Sequence, residues 1–184
     1  GGYKIVRRLG HGGFGVVYEA QQQQPRRLVA LKLIRSGYAD EQNVKLFRRE
    51  AQALARLNHR YIGAFYEMGT TEDGQYYFVM EVVWGQPLMD YVRDAKLSMR
   101  ERLDLFRRIC DAIHYAHQKG VMHRDLKPSN ILIDADAQPK ILDFGLAKIT
   151  DADIALTTMV TEIGRIAGTL PYMSPEQARG QAEE

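Results

Sequence analysis

Asp125, Lys127 and Asn130 fall within one short string, His123-Arg124-Asp125-Leu126-Lys127-Pro128-Ser129-Asn130. Asp125 can accept a hydrogen bond from an attacking hydroxyl and orient it. Lys127 places positive charge where a transferring anion would develop it. Asn130 offers an amide oxygen to a hard cation; Mg²⁺ takes few protein oxygens beside phosphates and water, so one amide and one carboxylate suffice. The carboxylate is supplied downstream by Asp143-Phe144-Gly145, where Asp143 would hold metal, Phe144 would pack inward and Gly145 would turn the loop. As a bland polar turn after a helix, the string needs only Pro128 and Ser129; the joint presence of the other residues argues for chemistry.

Two upstream motifs supply what a nucleotide needs. Leu9-Gly10-His11-Gly12-Gly13-Phe14-Gly15-Val16-Val17 spaces its glycines as G-x-G-x-x-G. Glycine lets backbone approach an anion closely, and the N–H groups there can face phosphate oxygens. A dinucleotide-binding fold uses the same spacing but continues into a helix. Here Val16-Val17-Tyr18 continues as a strand, which favours a flap over a nucleotide. Val29-Ala30-Leu31-Lys32 ends an apolar strand on a lysine, costly to bury unless paired. Lys32 would face the α- and β-phosphates, steadied by a helix carboxylate; Glu50 is the better candidate and Glu41 the poorer.

The elements that must position these groups can be read from periodicity. Strands are expected over Tyr3–Leu9, Val16–Ala20, Leu28–Ile34, Ile62–Met68 and Tyr76–Val83, with a hairpin signal at Asp73-Gly74. Val44, Phe47, Ala51, Leu54 and Leu57 recur at helical spacing and set Glu50 beside the stripe. Trp84–Pro87 reads as a hinge. Ser98 and Glu101 have capping-box spacing, and Leu103, Phe106, Cys110, Ile113 and His117 follow on one face of the helix, with Gly120 as its stop. Short strands over Ile131–Ile133 and Lys140–Leu142 flank an Asp134-Ala135-Asp136 turn, and a long loop follows Asp143. Strands with one helix, a hinge, then helix and loop predict two lobes with a cleft between them, where ligands favour binding.

Composition agrees and excludes alternatives. With 184 residues, 45% apolar and 26% charged, the chain suits one globular domain. A net charge of +2 is too small to argue for nucleic acid or an anionic membrane. No apolar run is long enough to span a bilayer, and Gly1-Gly2-Tyr3-Lys4 reads as the start of a strand and not a signal peptide. The single cysteine, Cys110, cannot form an internal disulfide, so a reducing compartment is expected and Cys110 reads as a core thiol.

These motifs together, closed by Gly168-Thr169-Leu170-Pro171-Tyr172-Met173-Ser174-Pro175-Glu176, resemble the eukaryotic-type protein kinases over nearly the whole chain. The resemblance implies an α+β, protein-kinase-like bilobal fold. Its N-lobe, residues 1–83 with the hinge, would carry a five-stranded antiparallel sheet and one helix. A mainly helical C-lobe, incomplete over 84–184, would carry the catalytic loop and activation segment. ATP and Mg²⁺ would be the cofactors. Gly10, Gly12 and Gly15 would cover the phosphates, Lys32 would pair with Glu50, Asp125 would be the base, and Asn130 and Asp143 would hold the metal. Met80 would be the gatekeeper, with Glu81 and Val83 offering hinge backbone to adenine and Leu9, Val17, Ala30 and Leu132 lining its slot. Leu54, Phe65, His123 and Phe144 would stack as a spine between the lobes.

Lys127 after Asp125-Leu126 and Thr169 resemble the serine/threonine class, so a protein hydroxyl substrate is implied. Arg124 before Asp125 resembles kinases controlled by loop phosphorylation, with Thr157, Thr158 and Thr161 as candidate acceptors. The wording Tyr172 to Ala178 resembles bacterial members, and a cytoplasmic protein, or the cytoplasmic portion of a membrane-anchored one, is implied. The chain departs from the family's pattern at His59-Arg60-Tyr61-Ile62-Gly63 and at Leu170. Helices expected beyond Glu184 would brace His123-Arg124 and cover an apolar face of the helix Leu103–His117; without them a catalytically weak nucleotide-binding or scaffold module is the alternative. A small-molecule kinase is the third reading, disfavoured by a segment from Asp143 to Glu176 that resembles a protein-substrate platform.

Overall fold

The structure, a computed structural model, describes residues 2–12, 15–34, 48–49, 51–144 and 170–175. The apolar and β-branched runs of the first half form five strands: β1 (Tyr3–Gly12), β2 (Gly15–Gln22), β3 (Arg27–Ile34), β4 (Phe65–Thr70) and β5 (Tyr76–Glu81). They make one antiparallel sheet in the order β1-β2-β3-β5-β4. Period-two alternation gives this sheet two apolar faces. Ala20, Val29, Leu31 and Val79 pack with Tyr3, Tyr66 and Tyr77 on one. Phe78 and Ile34 join the main core on the other.

A short strand, β6 (Gly85–Pro87), leads into α1 (Leu88–Asp94) and then α2 (Met99–Gln118). Ser98 caps α2: its Oγ accepts the Glu101 N–H at 3.4 Å, while the Glu101 carboxylate accepts the Ser98 N–H at 2.8 Å. Two further strands, β7 (Ile131–Asp134) and β8 (Pro139–Ile141), pair with β6 in the order β6-β7-β8. Their connection is held by Asp134, whose Oδ1 accepts the N–H groups of Asp136 and Gln138, each at 2.9 Å. Among the described residues no helix is long and apolar enough to cross a membrane.

Several expectations shift. The segment read as a hinge contains β6, because Gly85–Pro87 finds a partner in β7. The helix α1 follows directly, unread in the sequence because Pro87 stands at its start and only Leu88, Tyr91 and Val92 pack inward. Ile62 stands before β4 and forms a parallel bridge to Ile141. The buried face of α2 is Leu105, Ile109, Ala112 and Ala116, while Leu103 and Phe106 are 60% and 63% exposed. Cys110 is exposed and no core thiol, because it lies on that outer stripe. The helix carries two apolar stripes, and the one with two alanines lets it pack against β8. Glu50, Thr157, Thr158, Thr161 and Thr169 lie outside the described residues, as does Gly145.

Candidate active site

Residues directly opposite in an antiparallel sheet share a face. Gly10 pairs with Val17, Val17 with Lys32, and Lys32 with Phe78. A second row runs Arg7, Glu19, Ala30, Met80 and Phe65. Gly10, Val17, Ala30, Lys32 and Met80, scattered through 70 residues of sequence, thus meet on the face that Phe78 turns to the main core.

The two glycines flanking the turn differ in what they need. At Gly15, φ is +149° and a Cβ would lie 2.0 Å from the Leu33 carbonyl oxygen, so the fold itself demands glycine. At Gly10 a Cβ would meet nothing within 4 Å. Gly15→Ala should therefore lower the melting temperature strongly. Gly10→Ala should melt like the parent yet bind ATP more weakly; differential scanning fluorimetry with and without ATP separates the two.

Lys32 lies in the middle of β3 with a side chain only 7% exposed. Its Nζ stands 3.0 Å from Asp143 Oδ2, and that ion pair answers the cost of burying an ammonium. The expected pairing with Glu50 falls outside the described residues; the partner seen is Asp143.

The string from His123 to Asn130 is held from below. His123 Nε2 lies 2.9 Å from the Leu142 carbonyl oxygen, so that nitrogen carries the proton and donates. Nδ1 then accepts the Asp125 N–H at 3.3 Å. The His123 ring is buried and packs 4.6 Å from the Phe144 ring, with Leu54 and Phe65 in the same core. Leu142 N–H donates to the Asn130 carbonyl at 2.8 Å. Leu142 therefore joins the loop carrying Asp125 to the strand end carrying Asp143. Arg124 and Asp143 both have positive φ, 64° and 60°, conformations that non-glycine residues rarely adopt and that concentrate at working sites.

Asp125, Lys127 and Asn130 converge as a cluster. Lys127 Nζ is 2.8 Å from Asp125 Oδ2. Asn130 Nδ2 donates to the Asp125 carbonyl at 2.8 Å and to its Oδ2 at 3.2 Å. Asp125 Oδ1 is buried and, among the described residues, has no hydrogen-bond partner. A buried carboxylate oxygen without a donor is costly unless something else supplies one, and a substrate hydroxyl is such a donor. With Nδ2 committed to Asp125, the oxygen of Asn130 is the atom it can offer to a cation.

Two contacts escaped the sequence reading. Glu81 accepts from Lys140 Nζ at 2.9 and 3.0 Å and from the Ala64 N–H at 3.0 Å. Its own N–H donates to the Ala64 carbonyl at 2.8 Å. Partners 59 residues apart leave no local signal. The second is Arg7, which pairs with Glu19 and lies over the Trp84 ring.

Burial pushes His123 below the usual histidine range, and the same cause lowers His59, which packs against Tyr61 and Tyr115 and accepts the Tyr61 N–H. Both are lowered in the fold, so below about pH 6.5 the unfolded chain binds protons that the folded chain refuses. Stability is full above that pH and falls as pH drops toward the folded values. Thermal melts from pH 7.5 to 5 should show a falling midpoint, and His59→Phe, which keeps the aromatic packing, should flatten part of the slope.

A five-stranded antiparallel sheet followed by two helices and a three-stranded sheet, with Lys32 of the first joined to Asp143 beyond the second, defines the class of fold. The protein kinase domain family matches residues 3–183, and the chain belongs to that family. It is 41% identical over 182 residues to serine/threonine-protein kinase PrkC of Bacillus subtilis, covering 98% of this chain and 27% of that protein. To serine/threonine-protein kinase PknA of Mycobacterium tuberculosis it is 40% identical over 186 residues, covering 98% of this chain and 42% of that protein. The chain thus spans less than half the length of these relatives. The crystal structure of the Mycobacterium tuberculosis PknI kinase domain matches with a TM-score of 0.68 at 32% identity, covering 78% of this chain and 60% of that one. Members of this family use ATP and Mg²⁺.

Proposed function

We propose that this chain is the ATP-binding and catalytic part of a serine/threonine protein kinase, acting on protein hydroxyls in the cytoplasm or on the cytoplasmic side of a membrane-anchored protein. Residues 1–83 act as the N-lobe with its hinge and 84–184 as part of the C-lobe. The observation that carries the reading is the buried Asp125 Oδ1, without a partner among the described residues, beside Lys127 and Asn130 on a loop bound through Leu142 to the segment that carries Asp143.

Asp125 accepts the hydrogen bond of the attacking hydroxyl on Oδ1 and holds its oxygen toward the γ-phosphate. Lys127 supplies positive charge beside that oxygen. Asn130 and Asp143 fit Mg²⁺, one through an amide oxygen and one through a carboxylate; the ion would neutralise phosphate charge. Lys32 holds Asp143 now and would share its charge with the α- and β-phosphates, with Glu50 as its second partner. Gly10, Gly12 and Gly15 cover the phosphates. Leu9, Val17, Ala30, Met80 and Leu132 enclose adenine, with the Glu81 carbonyl and the Val83 N–H at its edge. Thr157, Thr158 and Thr161 are the acceptors for an activating phosphate, and Thr169 meets the catalytic loop.

Transfer of radiolabelled γ-phosphate from ATP to a serine- or threonine-bearing protein by the full-length protein tests the reading. Transfer that depends on Mg²⁺ is expected; ATP binding without transfer to any protein would leave only a nucleotide-binding module.

A further inference from the structure

We propose that Arg7 and Trp84 form a clasp at the outer end of the nucleotide slot, a positioning contact that holds the end of β1, with Leu9 and Gly10, against bound ATP. The proposal rests on the kinase reading above, since it takes the slot to be an ATP site.

Arg7 lies in the row Arg7–Glu19–Ala30–Met80, so it shares a sheet face with two residues assigned to the slot and extends that row to the edge strand. Its Nε is 2.6 Å from Glu19 Oε2, and the Glu19 side chain is only 7% exposed. That buried carboxylate fixes the guanidinium by one edge and leaves its flat face free. The face is used: Arg7 Cζ lies 5.2 Å from the centroid of the Trp84 ring, within cation–π range. Trp84 follows Val83 directly, so the indole belongs to the connection between the lobes and not to either core; it is 51% exposed.

β1 has reason to need such a grip. It is an edge strand paired to β2 alone, and its register slips between Ile5 and Arg7 and again between Arg8 and Gly10. The backbone ladder is therefore interrupted on both sides of Arg7, just before the glycines. A side chain anchored in β2 through Glu19 and stacked on the hinge through Trp84 supplies what the ladder lacks there. Leu9, two residues on and assigned to the adenine slot, would be set by the same contact.

The test uses the full-length protein and titration with mant-labelled ATP. Arg7→Lys keeps a cation for Glu19 but loses the planar face. Trp84→Leu keeps apolar bulk but loses the ring, and Trp84→Phe retains a weaker one. Each of Arg7→Lys and Trp84→Leu should raise Kd by about two- to five-fold, with Trp84→Phe between Leu and the parent. The double variant should be no worse than the worse single one, since both remove one contact. In steady-state assays KM for ATP should rise with kcat within about two-fold, the mark of lost ground-state binding. Melting temperatures check that the variants fold. Unchanged Kd in either single variant, fully additive losses, or Phe binding no better than Leu would overturn the clasp. Radiolabel transfer by the parent and by Asp125→Asn, measured beside the titrations, separates the two readings: if the kinase assignment is wrong, transfer is missing or survives that substitution, while the effect of the clasp on nucleotide binding is read from Kd alone.

Discussion

Asp125→Asn should reduce phosphoryl transfer by about two to four orders of magnitude while leaving ATP binding nearly intact. Asparagine matches aspartate in shape, so the loop keeps its outline. It does not match in hydrogen bonding. Oδ2 of Asp125 is approached by Lys127 Nζ at 2.8 Å and Asn130 Nδ2 at 3.2 Å, so that position must remain an oxygen. The new amide nitrogen is then driven to the Oδ1 position, the buried atom with no partner among the described residues. A donor would stand where the attacking hydroxyl must donate, and the hydroxyl would be turned away. The loss belongs in kcat, with KM for ATP little changed. Single-turnover transfer at saturating ATP gives the number, and undiminished transfer would remove Asp125 from its assigned role.

Lys32→Met should lower kcat by about two to three orders of magnitude and weaken nucleotide binding as well. Methionine suits the strand: it has nearly the length of lysine and sits between Leu31 and Leu33 in β3. The fold should therefore persist, and Asp143, one-third exposed, can turn to water once its cation is gone. What disappears is a charge already desolvated and already placed 3.0 Å from the Asp143 carboxylate, the group proposed to hold the metal. Nothing must be reorganised to use it, which is why its removal is costly to the reaction and mild for stability. A combined fall in affinity and kcat is expected; unchanged values of both would show that Lys32 serves only to balance Asp143.

Much of this site is legible in the chain because local strings carry it. The loop from His123 to Asn130 and the glycines around the β1–β2 turn sit within short windows, and their spacing is the geometry. The strands were readable for a related reason: β3 and β5 are near-continuous apolar runs, as a sheet that buries both faces requires. What could not be read depends on partners far along the chain. The outer stripe Leu103–Phe106–Cys110 of α2 is as apolar in sequence as Leu105–Ile109–Ala112. Only the β7–β8 pair opposite decides which is buried. Lys140 looks like any strand lysine until Glu81 is found beside it. Arg7 gave no signal, because neither its bulged register nor Trp84 is visible from its neighbours. Helix α1 was hidden by its brevity and by the proline at its start.

The bridge from Ile62 to Ile141 has a mechanical consequence. Gly63 N–H donates to the Ile141 carbonyl at 2.9 Å, Ile141 N–H donates to the Tyr61 carbonyl at 2.8 Å, and Asn58 N–H donates to the Tyr115 hydroxyl at 3.1 Å. The sheet that carries the glycines is therefore tied to the body that carries Asp125 by this loop as well as by the covalent chain through Val82 and Val83, and the Lys140–Glu81 and Lys32–Asp143 ion pairs add to the join. Sliding that sheet along β8 would tear the backbone bonds of the loop, whereas a side-chain ion pair can exchange its partner for a ligand. The loop is thus a tether that keeps the two bodies in register while the groups facing the gap change partners.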